Sequence, residues 1–325
     1  MMRKKKYQTD LSLDAASAAA AENIPQELFT PSDAASSAME HIAREHHSAL
    51  HDDLVRLRKN KGAVVCSFIL IAIVLFAIIA PMVSPYTYYD TDYTNKLASP
   101  SMQHIFGTDL FGRDQWTRVW YGTRISLLIG LFAALINLLI GVFYGAISAI
   151  MGGRVDAVMQ RIIEVLVGIP QLIIVILFMM VLPPGVGTIV IAMSITGWVN
   201  MARLVRAQIL KLKNQEFVLA GQLLGTSRWK TITRHLIPNT VSVIVIQVMF
   251  AIPSAIFTEA FLSFIGVGLA EPQASLGVLI QNGYSALRAA PHLLLFPAVA
   301  IILIMVCFSI VGDGLRDAFD PRMKH

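Results

Sequence analysis

Charge is what this chain has least of: 14% of its 325 residues are Asp, Glu, Lys or Arg, against 55% hydrophobic. A soluble domain of this size carries about 25% charged residues. The composition therefore excludes an ordinary soluble globular protein and points to a membrane protein. Cysteine is nearly absent as well. Cys66 and Cys307 both fall in apolar runs and lack metal-ligand spacing, which excludes a disulfide framework and a cysteine metal centre. HExxH, GxSxG and the Walker phosphate loop are all missing, which argues against catalysis. GVG at 266–268 opens no nucleotide fold, because an apolar segment precedes it and Pro272 follows; it reads as a turn at the outer membrane edge. The basic start is followed by polar sequence rather than an apolar core, so no secretory signal is expected. The net charge is +5, but the basic residues are spread over separate loops, so no nucleic-acid partner is expected.

What the chain has instead is six long apolar runs, at about 62–83, 125–151, 162–182, 187–207, 239–265 and 293–312. Each is near the ~20 residues a spanning helix needs. The fold expected is an all-α membrane protein with six transmembrane helices. Orientation follows from Lys and Arg. With the N-terminus inside, the inner pieces 1–61, 152–161, 203–238 and 313–325 hold nine, two, seven and three basic residues, and the outer pieces hold five. Both termini are therefore expected in the cytoplasm.

Residues 1–47 are rich in Ala, Ser and charge and read as a disordered cytoplasmic tail. His47 and His51 stand at i, i+4, but no third ligand is evident and no metal site is expected. From 48 to 61, Leu50, Leu54 and Leu57 form an apolar stripe beside Arg56, Arg58, Lys59 and Lys61, which reads as an interfacial amphipathic helix or a basic linker. The first spanning helix, 62–83, is followed by an extracytoplasmic loop at 84–124, rich in aromatics and Asp and read as structured. The membrane core is 125–312, and 313–325 is a cytoplasmic end.

The most distinctive stretch is polar and lies between two spans: NQEFVLAGQLLGTSRWKTITRHLIPN, 214–239, within the loop 208–238. It reads as two short helices split at Gly225. Asn214 is the expected N-cap and Glu216 suits the first turn. Phe217, Ala220 and Leu224 share a face at i, i+3, i+7. Gly225 supplies a left-handed stop, Thr226 or Ser227 caps the second helix, and that helix is expected to end before Pro238. On the residues alone the stretch is either a docking element at the membrane surface or an ordinary cytoplasmic loop.

Polar groups inside spans are costly and often mark a pathway. Glu259 in the fifth run is open as a gate, a substrate contact or a helix–helix hydrogen bond. Asn137, Gln171, Asn200 and Gln247 are open between helix pairing and a ligand. Of these, Asn200, Gln247 and Glu259, together with Pro253, are taken as candidates for a translocation path or gate. Pro170 and Pro253 are candidate kinks. Glu164, three residues after Arg161, reads first as its ion-pair partner.

The 214–239 stretch resembles the cytoplasmic signature loop of bacterial ABC importer permeases. That pattern is Glu-Ala-Ala, three residues, Gly, nine residues, then Ile-x-Leu-Pro, and here it is matched by Leu219-Ala220-Gly221, Gly225 and the run His235 to Pro238 at the same spacing. Leu219, Gly221 and His235 stand where the pattern has Glu, Ala and Ile. FGTDLFGRD at 106–114, GTRISLLIG at 122–130, GGRVDAVMQR at 152–161, VLPPG at 181–185, ITGWVNMARLVR at 195–206, EAFLSFIGVGL at 259–269 and VGDGLRDAFDPR at 311–322 resemble the C-type permease subunits of oligopeptide, dipeptide and nickel importers, the oligopeptide branch above all. The resemblance covers the chain from about residue 48 onward.

It implies a type I ABC importer permease fold and a non-catalytic subunit in a bacterial cytoplasmic membrane that translocates oligopeptides. It implies a second, B-type permease subunit, two ABC ATPase subunits and an extracytoplasmic peptide-binding protein as partners. No cofactor is expected on this chain, ATP and Mg being bound by the ATPases. Glu216, Phe217, Ala220, Gly221, Leu224, Gly225 and Pro238 would dock the ATPase. A dipeptide or nickel importer and a peptide exporter of the same family are the alternatives.

Overall fold

The computed structural model describes residues 55–223 and 225–319, apart from the side chains at 217, 219, 222, 228, 229 and 235. The tail, residues 48–54 of the expected interfacial helix, the last six residues, Leu224 and the Phe217 side chain lie outside the described residues. Those described are mainly helical, with no strand among them and one isolated bridge, Thr108 to Asp114. A short helix at 55–59 leads into α1, Lys61–Val83, which Asn60 caps by accepting a hydrogen bond from the Ala63 amide. There follow α2 (Gln115–Met151), α3 (Gly153–Val167), α4 (Gln171–Val181), α5 (Val186–Leu212), α6 (Glu216–Leu223), α7 (Arg228–Thr231), α8 (Ile237–Phe264), α9 (Leu276–Ser285) and α10 (His292–Phe319). Five of these are long and apolar enough to cross a membrane, and α3 with α4 makes a sixth, bent by 77°.

Three departures from the expected spans have clear causes. The second span starts at Gln115, not 125, because Asp114 caps it: its Oδ2 accepts from the Thr117 amide at 2.8 Å and the Thr117 hydroxyl at 2.7 Å. Hydropathy misses this first part of the helix, which carries Arg118 and Arg124. The third span breaks at Gly168–Ile169–Pro170, where proline removes an amide donor and disfavours helix in the residue before it. The helix α9 was not expected at all; Ser275 caps it by accepting from the Val278 amide at 3.2 Å.

The helix pair α2–α5 forms the centre. Gly141 and Gly145 of α2 lie against Met201 and Ala202 of α5 so closely that a Cβ on either would collide. Small residues at such a crossing let two backbones approach, which is how packing drives helix association in lipid. The helix α8 packs on α2, and α10 packs on α1, α8 and α9. Cys66 and Cys307 are buried together with Val311 between α1 and α10. They act there as small apolar groups.

Between α1 and α2 the 84–114 loop is tied down by charge. Asp109 accepts from the Phe111 and Arg113 amides and from Arg113 Nε, while the Arg113 guanidinium forks onto Glu271 at 3.1 Å on both arms. Asn282 of α9 donates to the same carboxylate at 2.9 Å. Burial pushes the Glu271 carboxyl up, but the Arg113 fork and the Asn282 amide outweigh it and hold the group below its ordinary range. Burial likewise lowers Arg113, and its two carboxylate partners bring it above its ordinary value. The FGTDLFGRD motif thus locks the 84–114 loop to the turn after α8.

Candidate functional site

At one end of the bundle the 214–239 stretch forms the expected helix–Gly–helix hairpin, with differences in detail. Its first helix is Glu216–Leu223, so the cap position falls past Asn214, which makes no side-chain hydrogen bond among the described residues. Gly225 has φ +82°, and the Thr226 amide donates to the Gly221 carbonyl at 3.0 Å. This is the six-to-one bond of a Schellman stop, which needs a left-handed residue at Gly225. Ser227 rather than Thr226 caps the second helix, its Oγ accepting from the Lys230 amide at 3.3 Å.

The second helix does not end before Pro238. From α7 the chain passes through a π turn, Ile232–Leu236, into α8, and all the joining residues stay in the right-handed helical region. The Ile237 amide donates back to the Ile232 carbonyl, and Pro238 falls at the start of the next helical stretch. A proline there needs no amide partner. The sequence rule that proline stops a helix missed that it also starts one. Residues 228 to 264 are therefore one helical rod running from the hairpin into the bundle.

The hairpin grips the bundle through Val218, Ile232 and Leu236, which join Val142, Ala146, Val205 and Ile209 in one buried cluster. The opposite face is open: Glu216, Ala220, Gly225 and Pro238 are exposed and Gly221 half-exposed. Leu223 is 89% exposed at the tip. Leu223 was not among the expected docking residues, although it stands at i, i+3 from Ala220. Nearby, Arg206 of α5 holds Asp156 of α3 in a fork of 2.7 and 2.5 Å, and Lys213 Nζ donates to the Ala149 carbonyl at 3.3 Å. Arg161 and Glu164 pair at 2.7 Å on an exposed face.

Deeper in the bundle lies a cavity of about 270 Å³ between α2, α4, α5 and α8. Asn137, Gln171, Asn200 and Gln247, scattered over four helices in the sequence, all line it, with Ser254 and Thr258. Gln171, Asn200 and Ser254 are exposed and the other three half-buried, so the cavity is open on one flank. Gln247, Ser254 and Thr258 belong to the rod that begins in the hairpin. At 1.5 Å per residue, Gln247 stands about 16 Å above Leu236.

Pro253 and Glu259 are not brought to this cavity. Pro253 is buried within α8. Glu259 is fully buried and turned the other way: it accepts from Ser126 Oγ of α2 at 2.9 Å and Ser263 Oγ at 2.8 Å, and Ser126 Oγ in turn accepts from the Leu276 amide of α9. Of the alternatives open for Glu259, the structure shows the helix–helix hydrogen bond. Sequence could not separate these, because the face a residue takes on a span apolar all round leaves no periodic trace.

Comparison with known proteins adds three findings. Residues 138–325 match the family model described as binding-protein-dependent transport system inner membrane component, and residues 48–100 match the N-terminal TM domain of oligopeptide transport permease C. The chain is 48% identical to the oligopeptide transport system permease protein OppC of Bacillus subtilis (strain 168), over 93% of this chain and 99% of that one. It is 44% identical to the dipeptide transport system permease protein DppC of the same organism, over 93% and 94%. It is also 44% identical to OppC of Escherichia coli (strain K12), over 87% and 94%. A chain of the inward-facing MetNI methionine ABC transporter superposes with a TM-score of 0.51 at 15% identity, covering 61% of this chain and 95% of that one. That likeness concerns the fold.

Proposed function

The chain belongs to the family of binding-protein-dependent transport system inner membrane components, and from that premise we propose that it is a C-type permease subunit of an ABC importer that carries oligopeptides into the cell. It works beside a second permease subunit, two ATPase subunits and an external peptide-binding protein. Hydrolysis of ATP with Mg takes place on the ATPases, and this chain transmits the motion. Both termini and the hairpin lie on the cytoplasmic side, as the Lys and Arg bias favours.

The observation that carries this reading is the unbroken rod from 228 to 264. One end of it is the docking hairpin and the other lines the cavity through Gln247, Ser254 and Thr258. When the ATPases close, the hairpin is drawn inward by the exposed face of Glu216, Ala220, Gly221, Leu223 and Gly225. Gly225 sets the angle between its two helices. The rod tilts with it, and the cavity wall moves relative to α5. Two arrangements of the same packed helices, biased by nucleotide on one side and loaded binding protein on the other, constitute alternating access.

Asn200 and Gln247 are the path residues of this scheme. Pro253 and Glu259 support the rod from behind. Among the described residues the cavity lining carries no His, Cys, Asp or Glu, and Met193 and Met201 are its only sulfur groups. Nickel favours imidazole, whereas neutral carbonyl oxygens suit harder cations, so this lining suits an organic cargo better than the metal. A dipeptide importer is the second reading, on the 44% identity to DppC.

The test is reconstitution of the chain with its partner permease, ATPases and binding protein in proteoliposomes. Peptide-loaded binding protein should stimulate both ATP hydrolysis and uptake of labelled peptide. Comparison of dipeptides with pentapeptides separates the two readings, and failure of every peptide to stimulate turnover would remove both.

A further inference from the structure

The lining of the 270 Å³ cavity has a chemistry that the import reading does not by itself require. Four of its groups are primary amides, Asn137, Gln171, Asn200 and Gln247, and none makes a hydrogen bond within the described residues. Asn137 Oδ1 is buried with no partner among the described residues, and its side chain is pinned against the Gly197 backbone, where any Cβ would collide. Polar groups inside a bundle are normally hydrogen-bonded, because each lost bond costs free energy in an apolar setting. Gln171 and Asn200 are exposed and Gln247 half-buried, so the requirement for an outside partner falls on Asn137 Oδ1, and the other three amides line the same cavity.

A primary amide offers two donors and two acceptor lone pairs. That set is complementary to a peptide main chain, which presents one N–H and one C=O per residue whatever its side chains. None of the described residues lining the cavity is charged. The nearest carboxylate along the rod, Glu259, points away into its serine hydroxyls. Arg203, exposed one turn nearer the hairpin on α5, is outside the lining.

Resting on the reading of this cavity as the passage, we propose that Asn137, Gln171, Asn200 and Gln247 form a charge-free amide lining that binds the main-chain amides of a peptide in transit. Acidic and basic side chains then pass at similar rates, and discrimination by charge is left to the binding protein. The competing use of such amides is hydrogen bonding to a neighbouring spanning subunit.

The experiment uses the complete importer in proteoliposomes, with Ala-Lys-Ala, Ala-Glu-Ala and Ala-Ala-Ala as probes and the binding protein saturated with each. The unvaried importer is expected to give similar maximal uptake rates for all three. Asn200→Asp, nearly isosteric, introduces a charge and is expected to raise the Lys-to-Glu uptake ratio by about tenfold. Asn200→Leu with Gln247→Leu is expected to slow all three alike, by roughly tenfold, while the complex still co-purifies intact. An unchanged ratio in Asn200→Asp, or unimpaired uptake in the leucine pair, overturns the proposal. So does loss of co-purification in these variants, which would assign the amides to the subunit interface. If the unvaried importer moves none of the three peptides, the import reading itself falls; if it moves them and the variants behave as wild type, only the amide lining falls.

Discussion

Arg206 of α5 and Asp156 of α3 form a two-armed ion pair, Nε to Oδ1 at 2.7 Å and Nη2 to Oδ2 at 2.5 Å, with both side chains largely shielded. Ser148 at the end of α2 donates to the same carboxylate, and Gln160 Nε2 donates to Ser148. One carboxylate thus joins three helices next to the hairpin, at the end of α5 that leads into it. Arg206→Ala strands that carboxylate and should lower stability by about 1.5–3 kcal/mol, the range for a hydrogen bond to a charged group. Thermal unfolding of the purified complex measures this. The exchanged pair Asp156→Arg with Arg206→Asp should recover part of the loss, which a role confined to packing would not allow.

The left-handed backbone at Gly225 is the point where the hairpin turns, and a Cβ built there meets nothing within 4 Å. Substitution is therefore opposed by backbone strain and not by a clash inside this chain. Gly225→Val should abolish ATP-driven peptide uptake while membrane levels stay normal, since a β-branched residue resists this conformation. Gly225→Asn, which tolerates it, should keep substantial uptake. Equal loss in both would mean that the surface at Gly225 matters more than the turn.

The latch between Arg113 and Glu271 should show in the pH dependence of stability. Glu271 is held below its ordinary value of 4.5 in the folded chain. Its contribution is therefore present above that value and is lost as the pH falls through the lower folded one. The unfolding midpoints of wild type and Glu271→Gln should differ at neutral pH and converge in acid. A gap that is constant or widens toward acid would contradict the latch.

The buried Glu259 ties α8 to α2 and α9 through hydroxyls. Glu259→Leu leaves two hydroxyl donors without their acceptor and should cost about 1–3 kcal/mol per unsatisfied group. Glu259→Gln keeps one acceptor oxygen and should fall between. Both effects belong in the unfolding midpoint. A change in which peptides are carried, at unchanged stability, would instead make Glu259 a path residue.

What the sequence made legible follows from what the membrane demands. Lipid requires long apolar helices, so the runs that became α1, α8 and α10 stand out, and the one that became α5 less so, because Ser194, Thr196 and Asn200 interrupt it. The polar first turns of α2 from Gln115 do not, because their stability comes from the Asp114 cap and from packing. Gly225 and Pro238 could be found by spacing, but the role of Pro238 as a start and not a stop depends on the π turn before it. Asn137, Gln171, Asn200 and Gln247 were visible one by one as polar residues in spans. Only the crossing of four helices shows that they share a cavity, and that Glu259 faces away from it.

The most direct measurement is the number of peptides imported per ATP hydrolysed when the rod is softened between hairpin and cavity. Arg234→Gly places a glycine at an exposed position of the π turn, weakening the helix by about 1 kcal/mol, without touching the buried cluster that anchors the hairpin or the amides. The expected result is continued ATP hydrolysis stimulated by loaded binding protein, with peptide uptake reduced to background. Uptake per ATP equal to wild type would contradict the claim that this rod carries the motion from the ATPase to the passage.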